Sequence, residues 1–235
     1  MWCPLVRGPL GLHKAPSYPP RNLRMQAFSP FEQLAEALLP HLPVSSDGSH
    51  DLGHLRRVWH NAFAIQAEEG GEARVVAAAV LLHDCVHVEK NAPQRSRASR
   101  LAGERAAAIL AGLGWPVEEV ADVVHAIEAH SFTAGIAPRT LEAKIVQDAD
   151  RLDAIGFIGV ARCFYIAGRL GSALYDLDDP DAAHRPLDGT RFALDHFPEK
   201  LLRLGDGFQT PAGRRRAQER MAAMRGFLEG FRAEI

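Results

Sequence analysis

Residues 72–84 read EARVVAAAVLLHD, a stretch that is apolar almost all the way round a helix and ends in a histidine and an aspartate. A helix without a polar face belongs in the centre of a bundle, because every side of it has to be covered by other elements. The stretch therefore predicts a buried central helix with His83 and Asp84 at its end.

Helical periodicity also dominates the chain on both sides of this stretch. We find no alternating strand pattern and no internal repeat, and residues 176–189 are acidic, contain proline and resemble a loop. The further predicted helices cover residues 31–39, 49–69, 96–110, 116–129, 139–167, 191–204 and 213–233. The pattern predicts an all-α fold.

The composition is ordinary for a globular protein: 235 residues, 47% hydrophobic and 24% charged. A net charge of -2 provides no basic field, so we expect no specific nucleic-acid binding. Three cysteines without a CxxC pair favour neither a disulfide framework nor a thiolate zinc site, and a reducing cytoplasm is the expected location. No apolar run approaches the roughly 20 residues of a membrane-spanning helix, so we expect no membrane partner.

The N-terminal segment differs from the rest of the chain. Residues 1–27 are rich in Pro, Gly and Arg and lack the apolar core of a signal peptide. We interpret them as a disordered tail or as the result of a start assigned too early, with Met25 as an alternative start. Residues 28–235 are then predicted to form a single domain.

The His83-Asp84 pair is costly at the end of a buried helix unless a partner satisfies it. A hydrogen-bonded core pair and a metal ion are the two alternatives. Upstream, His50 and His54 share a helix face, with Arg57 one turn beyond His54. Taken alone, that face could simply be solvated.

A third polar cluster lies in the apolar stretch around residues 145–155. Asp148 and Asp150 are about 200° apart on a helix, so these two carboxylates and that of Asp153 cannot all face solvent. An inward carboxylate requires a partner. A divalent cation shared with the histidines would satisfy all three clusters.

The order His, His-Asp, Asp resembles the HD superfamily of metal-dependent phosphohydrolases, and more narrowly its bacterial YedJ-like branch, whose members include nucleotide pyrophosphohydrolases. The resemblance covers residues 28–235. It rests on motifs spread along this range, namely 50-HDLGHLRRV-58, 82-LHD-84, 90-KNAPQR-95, 126-AIEAHSF-132, 142-EAKIVQDADRL-152, 184-HRPL-187 and 196-HFPEKLL-202.

The resemblance implies an HD-domain helical bundle with additional C-terminal helices. It also implies one divalent metal ion held by His54, His83, Asp84 and an aspartate of an Ala-Asp-x-x-Asp-Ala pattern. Asp150 fits that pattern and Asp148 is its rival. The mixed nitrogen and oxygen ligands suit Mn, Fe, Ni, Co or Zn, and similar nucleotide-acting proteins favour Mn²⁺ or Mg²⁺. The metal would activate a water for attack on phosphorus.

Several other residues are candidates for catalysis and substrate binding. Asp84 could orient the nucleophile as well as ligate, and His130 could act as a general acid or bind phosphate. Arg57 and Arg151 could bind the substrate or orient ligand carboxylates. The substrate-binding candidates of the loop that follows the central helix are Lys90, Asn91 and Arg95, although a solvated loop explains them equally well. His87 and His130 could also support a second metal ion.

The predicted function is a phosphohydrolase acting on a phosphorylated small molecule, most naturally a nucleotide, as a (d)NTP pyrophosphohydrolase or a nucleotidase. The alternatives are a non-catalytic metal- and nucleotide-binding regulatory module and a structural helical protein. A homodimer is compatible with the sequence. The aromatic residues predicted to belong to the core are Trp59, Phe63, Phe157, Phe164 and Phe192. The run Arg214-Arg215-Arg216 is expected to be a solvated helix face.

Overall fold

The computed structural model describes residues 25–43, 51–86, 88, 97–131 and 134–235. Within these ranges the regular elements are helices, and the one β-type pairing is an isolated bridge between Ala173 and Phe192. The α-helices are α1 (Glu32–Leu38), α2 (Leu52–Glu69), α3 (Ala73–Leu82), α4 (Ala98–Gly112), α5 (Val117–His130), α6 (Leu141–Asp153), α7 (Gly156–Leu170), α8 (His196–Glu199) and α9 (Pro211–Arg232). The all-α prediction is confirmed.

Helix α3 is the centre of the bundle, as its sequence predicts. Its eight residues from Val75 to Leu82 are all buried, and it packs against α1, α2, α5 and α6. The helix ends at Leu82, so His83 and Asp84 lie in the turn that follows. Asp84 therefore emerges from the core while His83 stays buried.

Two capped helices flank α3 and carry the other polar clusters. The Asp51 side chain caps α2 by accepting from the His54 backbone N–H at 3.0 Å, and Thr140 caps α6 in the same way through Ala143. Helix α6 packs against both α2 and α5. This packing brings His54, Asp150 and the C-terminal end of α5 to the same end of α3.

The single helix predicted over residues 139–167 is wrong, because the chain breaks between α6 and α7. Ile155 is extended and Gly156 adopts a φ of +72°, which strongly favours glycine. A Cβ on Gly156 would also lie 3.1 Å from the Arg220 side chain. The apolar periodicity continues through the break, so periodicity alone did not show it.

The helix predicted over residues 191–204 is also wrong. The structure has only the four-residue α8 and a 3₁₀ segment, Leu201–Gly207. The long connection before α8 is held by Arg185, which donates twice to the buried Asp195 carboxylate and lies over the Phe192 ring at 4.4 Å. Residues 176–189 do form the predicted loop.

The predicted aromatic core is correct except for one residue. Trp59 and Phe192 are buried, and Phe63 and Phe164 pack against the core, but Phe157 is 72% exposed at the start of α7. Phe157 follows the break at Gly156, so it lies outside the periodicity that a continuous helix would have imposed.

The N-terminal residues that the structure describes pack on the bundle. Phe28 is fully buried with its ring centroid 5.2 Å from that of Trp59, and Met25 and Ala27 contact the core. Residues 1–24 of the predicted tail lie outside the described residues. No helix in the described part of the chain is long and apolar enough to cross a bilayer.

Candidate metal centre

Three buried histidines meet at one end of the bundle. His54 lies in the first turn of α2, His83 follows α3, and His130 is the last residue of α5. The His54 and His83 ring centroids are 5.4 Å apart, and those of His83 and His130 are 5.0 Å apart.

Backbone carbonyl groups fix the tautomers of His83 and His130. The Nδ1 atom of His83 lies 2.7 Å from the Val80 carbonyl oxygen, and that of His130 lies 2.6 Å from the Ile127 carbonyl oxygen. A carbonyl can only accept, so each Nδ1 carries a proton, and in the neutral form of the ring Nε2 presents a lone pair. Burial lowers the pKa of His83, which favours this neutral form.

A carboxylate fixes His54 in the same manner. Its Nδ1 lies 2.7 Å from Asp153 Oδ2, so Nε2 faces away from Asp153. Burial lowers the pKa of His54, but the Asp153 hydrogen bond and the charges of Asp150 and Asp84 outweigh burial, so the pKa lies above its ordinary value. The surroundings of this ring therefore attract positive charge.

Four groups form what we call the metal cluster: His54, His83, Asp84 and Asp150. The two Nε2 atoms of His54 and His83 are 3.3 Å apart. Asp84 Oδ2 lies 3.7 Å from the first of these nitrogens and 3.4 Å from the second. Asp150 Oδ1 completes the cluster at 3.7 and 3.9 Å.

The cluster fits a divalent metal ion. Two buried imidazole Nε2 atoms face each other next to two carboxylates, and a cation between these four groups would stabilise the arrangement. Histidines that ligate a metal normally donate their other N–H to a carboxylate or carbonyl, as both rings do. The described residues thus satisfy the requirements of a mixed nitrogen and oxygen site.

Asp150 and Asp148 point to opposite sides of α6. The buried Asp148 carboxylate accepts hydrogen bonds at 2.7–2.8 Å from the Gln209 and Thr210 backbone N–H groups and from the Thr210 hydroxyl. It thereby holds the N-terminal end of α9. Asp148 is fully engaged away from the histidines, so the geometry favours Asp150 as the last ligand.

Asp153 is the residue that the sequence interpretation left without a role. Besides His54, it accepts from Arg57 Nε at 2.5 Å, Arg57 Nη2 at 3.1 Å and Arg162 Nη1 at 2.8 Å. Burial raises its pKa, but these hydrogen bonds hold the pKa far below the ordinary value, so the group is a carboxylate. The sequence signal for this role was the position of Asp153 as the second aspartate of the Ala-Asp-x-x-Asp-Ala pattern.

The remaining predicted residues differ in their placement. His130 Nε2 lies 4.0 Å from Asp84 Oδ1, and His83, Asp84 and His130 form a second group with ligand atoms within 4.8 Å of one another. Arg57 faces Asp153, which suits orientation of a ligand histidine. Arg151 donates to the Gly207 carbonyl. The predicted residues outside the described part of the chain are His50, His87, Lys90, Asn91 and Arg95.

Comparison with known proteins agrees with this geometry. The HD-domain family model matches residues 51–155, a range that contains the whole metal cluster. YpgQ of Bacillus subtilis is 34% identical over 216 residues, which are 90% of this chain and 96% of that protein. The chain belongs to the HD-domain family. Membership in this family accounts for the order His, His-Asp, Asp along the central helices.

Solved structures of the family share the fold over nearly the whole chain. An HD-superfamily hydrolase from Bacillus thuringiensis is 30% identical with a TM-score of 0.64, covering 92% of this chain and 98% of that one. YpgQ of Bacillus subtilis in complex with ADP is 33% identical with a TM-score of 0.66, covering 86% and 97%. The C-terminal helices beyond the HD match are therefore shared with these relatives.

Proposed function

We propose that this HD-domain protein is a metal-dependent phosphohydrolase that acts on a nucleotide. The observation that carries the proposal is the convergence of two Nε2 atoms, on His54 and His83, with the Asp84 and Asp150 carboxylates. The histidines are buried, whereas the Asp84 and Asp150 side chains are 45% and 29% exposed. The cluster is therefore closed by the protein on one side and open to a substrate on the other.

The metal would be held by His54, His83, Asp84 and Asp150, with Mn²⁺ or Mg²⁺ favoured. A bound divalent ion would supply Lewis acidity, lowering the pKa of a water molecule and offsetting the charge of a phosphate. The chain itself pairs Nδ1 of each imidazole with an acceptor, so that both Nε2 atoms face the cluster, and it directs two negative oxygens at the same point.

Asp84 and His130 supply proton chemistry at the open side. Asp84 Oδ2 faces the two ligand histidines, whereas its Oδ1 faces His130 Nε2 at 4.0 Å. Oδ1 can accept a proton from an attacking water, and His130, when protonated at Nε2, can donate to the leaving oxygen. The Ile127 carbonyl accepts from Nδ1 of His130 and so fixes the orientation of the ring, with Nε2 on the Asp84 side.

A nucleotide is the substrate class that the relatives favour. YpgQ, 33% identical in its solved form, binds ADP in that structure. We assign Lys90, Asn91 and Arg95 to the substrate phosphates, whereas Arg151 donates to the Gly207 carbonyl on the Asp148 side of α6. A (d)NTP pyrophosphohydrolase and a nucleotidase are the two activities that fit a metal centre of this kind.

The test combines metal analysis with a substrate panel. Protein purified without chelator should contain or take up about one Mn²⁺ per chain, and it should hydrolyse a nucleotide from a panel of mono-, di- and triphosphates. Asp84→Asn should abolish turnover, whereas Asp122→Asn, an exposed aspartate on α5, should not. Metal-loaded protein inactive on the whole panel would contradict the proposal.

A metal- and nucleotide-binding module without turnover is the second candidate, favoured by the ADP complex of YpgQ. Saturable nucleotide binding to metal-loaded protein, with no product formed, would establish it instead.

A further inference from the structure

A cavity of about 500 Å³ lies beside Asp153 and is separate from the metal cluster. Its wall is built from α2, the start of α7 and α9. Arg57 and Asp153 line it, but none of the four residues of the metal cluster does. A volume of this size is in the range of small-molecule pockets, about 300–1,000 Å³.

The mouth of the cavity has an apolar side with an exposed aromatic ring. Phe157 is 72% exposed and Ile158 is 40% exposed, and both line the cavity with the buried Ile155. An exposed phenylalanine next to an apolar wall offers a face on which a flat ring can stack. The apolar part of a ligand can therefore pack against the start of α7.

The cavity lining also carries three cations. Arg56, Arg57 and Arg220 line it, against the carboxylates of Asp153 and Glu219. Arg220 hydrogen-bonds to neutral acceptors, the Leu152 carbonyl and Asn61 Oδ1, and burial lowers its pKa. A partly buried guanidinium held by neutral acceptors is stabilised by an additional anion.

Helix α7 adds to this polarity because its N-terminus opens into the cavity. Gly156, Phe157 and Ile158 of its first turn are lining residues, and the N-cap residue Ile155 makes no side-chain cap hydrogen bond. The first N–H groups of a helix favour a negative partner. The three arginines, the N-terminus of α7 and the Phe157 ring thus line the same cavity.

We propose that this cavity binds a small aromatic phosphate ester of the nucleoside monophosphate class as an effector. The phosphate binds Arg56, Arg57 and Arg220 at the α7 N-terminus, and the base stacks on Phe157. The site is distinct from the one where the substrate phosphates approach the metal cluster.

The cavity is connected to the metal cluster through one short chain of contacts. Arg57 lines the cavity and donates to Asp153, which in turn accepts from His54 Nδ1. A phosphate that draws the guanidinium of Arg57 away loosens Asp153 and with it the His54 ring. The effector therefore lowers metal affinity, and by reciprocity the metal lowers effector affinity. This regulatory part rests on the proposed function, whereas the binding part does not.

Calorimetric titration of AMP into chelator-treated protein tests the binding part. Wild type should bind one AMP, and Phe157→Glu should weaken binding about tenfold or more, because stacking is lost and a like charge is introduced. The matched control is Leu170→Glu, at the other end of α7 and 69% exposed, which should bind as wild type does. His130→Ala should also leave AMP binding unchanged. Loss of binding in His130→Ala but not in Phe157→Glu would overturn the proposal.

Equilibrium dialysis of Mn²⁺ with and without saturating AMP tests the coupling. When AMP is added, the Mn²⁺ affinity of wild type should fall about fivefold or more, and that of Phe157→Glu should stay constant. The Phe157→Glu measurement also corrects for chelation of Mn²⁺ by AMP. Unchanged or increased affinity in wild type would overturn the regulatory part. If AMP binding depends on Phe157 while the nucleotide panel shows no hydrolysis, the effector site stands and the phosphohydrolase proposal fails.

Discussion

At the residue scale, Asp153 shows how a group outside the metal cluster can orient one of its histidines. Its carboxylate holds His54 in one tautomer and is itself held by Arg57 and Arg162. Such outer partners of a ligand histidine fix both the ring orientation and its basicity. The sequence predicted His54, His83 and Asp84 as metal ligands, and the structure brings these three side chains together. The role of Asp153 required knowing which ring nitrogen of His54 faces which neighbour.

Asp153→Asn should lower Mn²⁺ affinity roughly 10- to 100-fold, because an amide no longer enforces the Nδ1–H tautomer of His54. Equilibrium dialysis measures this, with thermal unfolding run in parallel to show that the variant is folded. Asp122→Asn is the control with the same chemical change on an exposed helix face. A folded Asp153→Asn protein with wild-type metal affinity would contradict the orienting role.

The two aspartates of α6 should give opposite results. Asp148→Asn should reduce the free energy of unfolding by about 1–3 kcal/mol, because it disturbs a buried group that accepts three hydrogen bonds. Its metal affinity should stay near wild type. Asp150→Asn should lose metal affinity with little loss of stability. Denaturant unfolding of the metal-free proteins, followed by metal titration, separates the two, and the reverse pattern would make Asp148 the ligand.

At the scale of elements, the local sequence predicted the buried helices well and the break between α6 and α7 badly. The composition of α3 predicts its burial, since no face of residues 75–82 is polar. The break is different, because Ile155 and Gly156 sit in an apolar stretch that fits one long helix. At the break Gly156 has a positive φ, and the Arg220 side chain lies where a Cβ on Gly156 would need space, a tertiary contact that local sequence does not reveal. The same holds for residues 191–204, where the Arg185–Asp195 ion pair holds an irregular connection.

The break can be tested with two glycines of the same helix. Gly156→Ala should destabilise the protein by about 1–2 kcal/mol, because it combines a positive φ with a Cβ close to Arg220. Gly168→Ala, in the last turn of α7 with no neighbour within 4 Å of an added Cβ, should stabilise it by about 0.5–1 kcal/mol. Urea unfolding measures both. A stable Gly156→Ala variant would show that α6 and α7 tolerate a regular connection.

At the scale of the whole molecule, the metal cluster joins α2, α3 and α6, so a bound ion should stabilise the bundle as a unit. At a metal concentration 100 times the dissociation constant, the gain is about 2.7 kcal/mol. For a chain of this size that corresponds to a rise in Tm of roughly 5–10 °C. Differential scanning calorimetry with EDTA and with Mn²⁺ measures it. His83→Asn should abolish the rise, and a rise that survives in that variant would place the ion elsewhere.

The spacing of the cluster along the chain has a consequence for folding kinetics. His54 and Asp150 are almost a hundred residues apart, and they meet only when α2 and α6 dock side by side. A contact between such distant segments forms late if the early nucleus is local. The ion should then leave the refolding rate nearly unchanged and slow the unfolding rate, so that metal loading protects the protein chiefly by lengthening the lifetime of its native state.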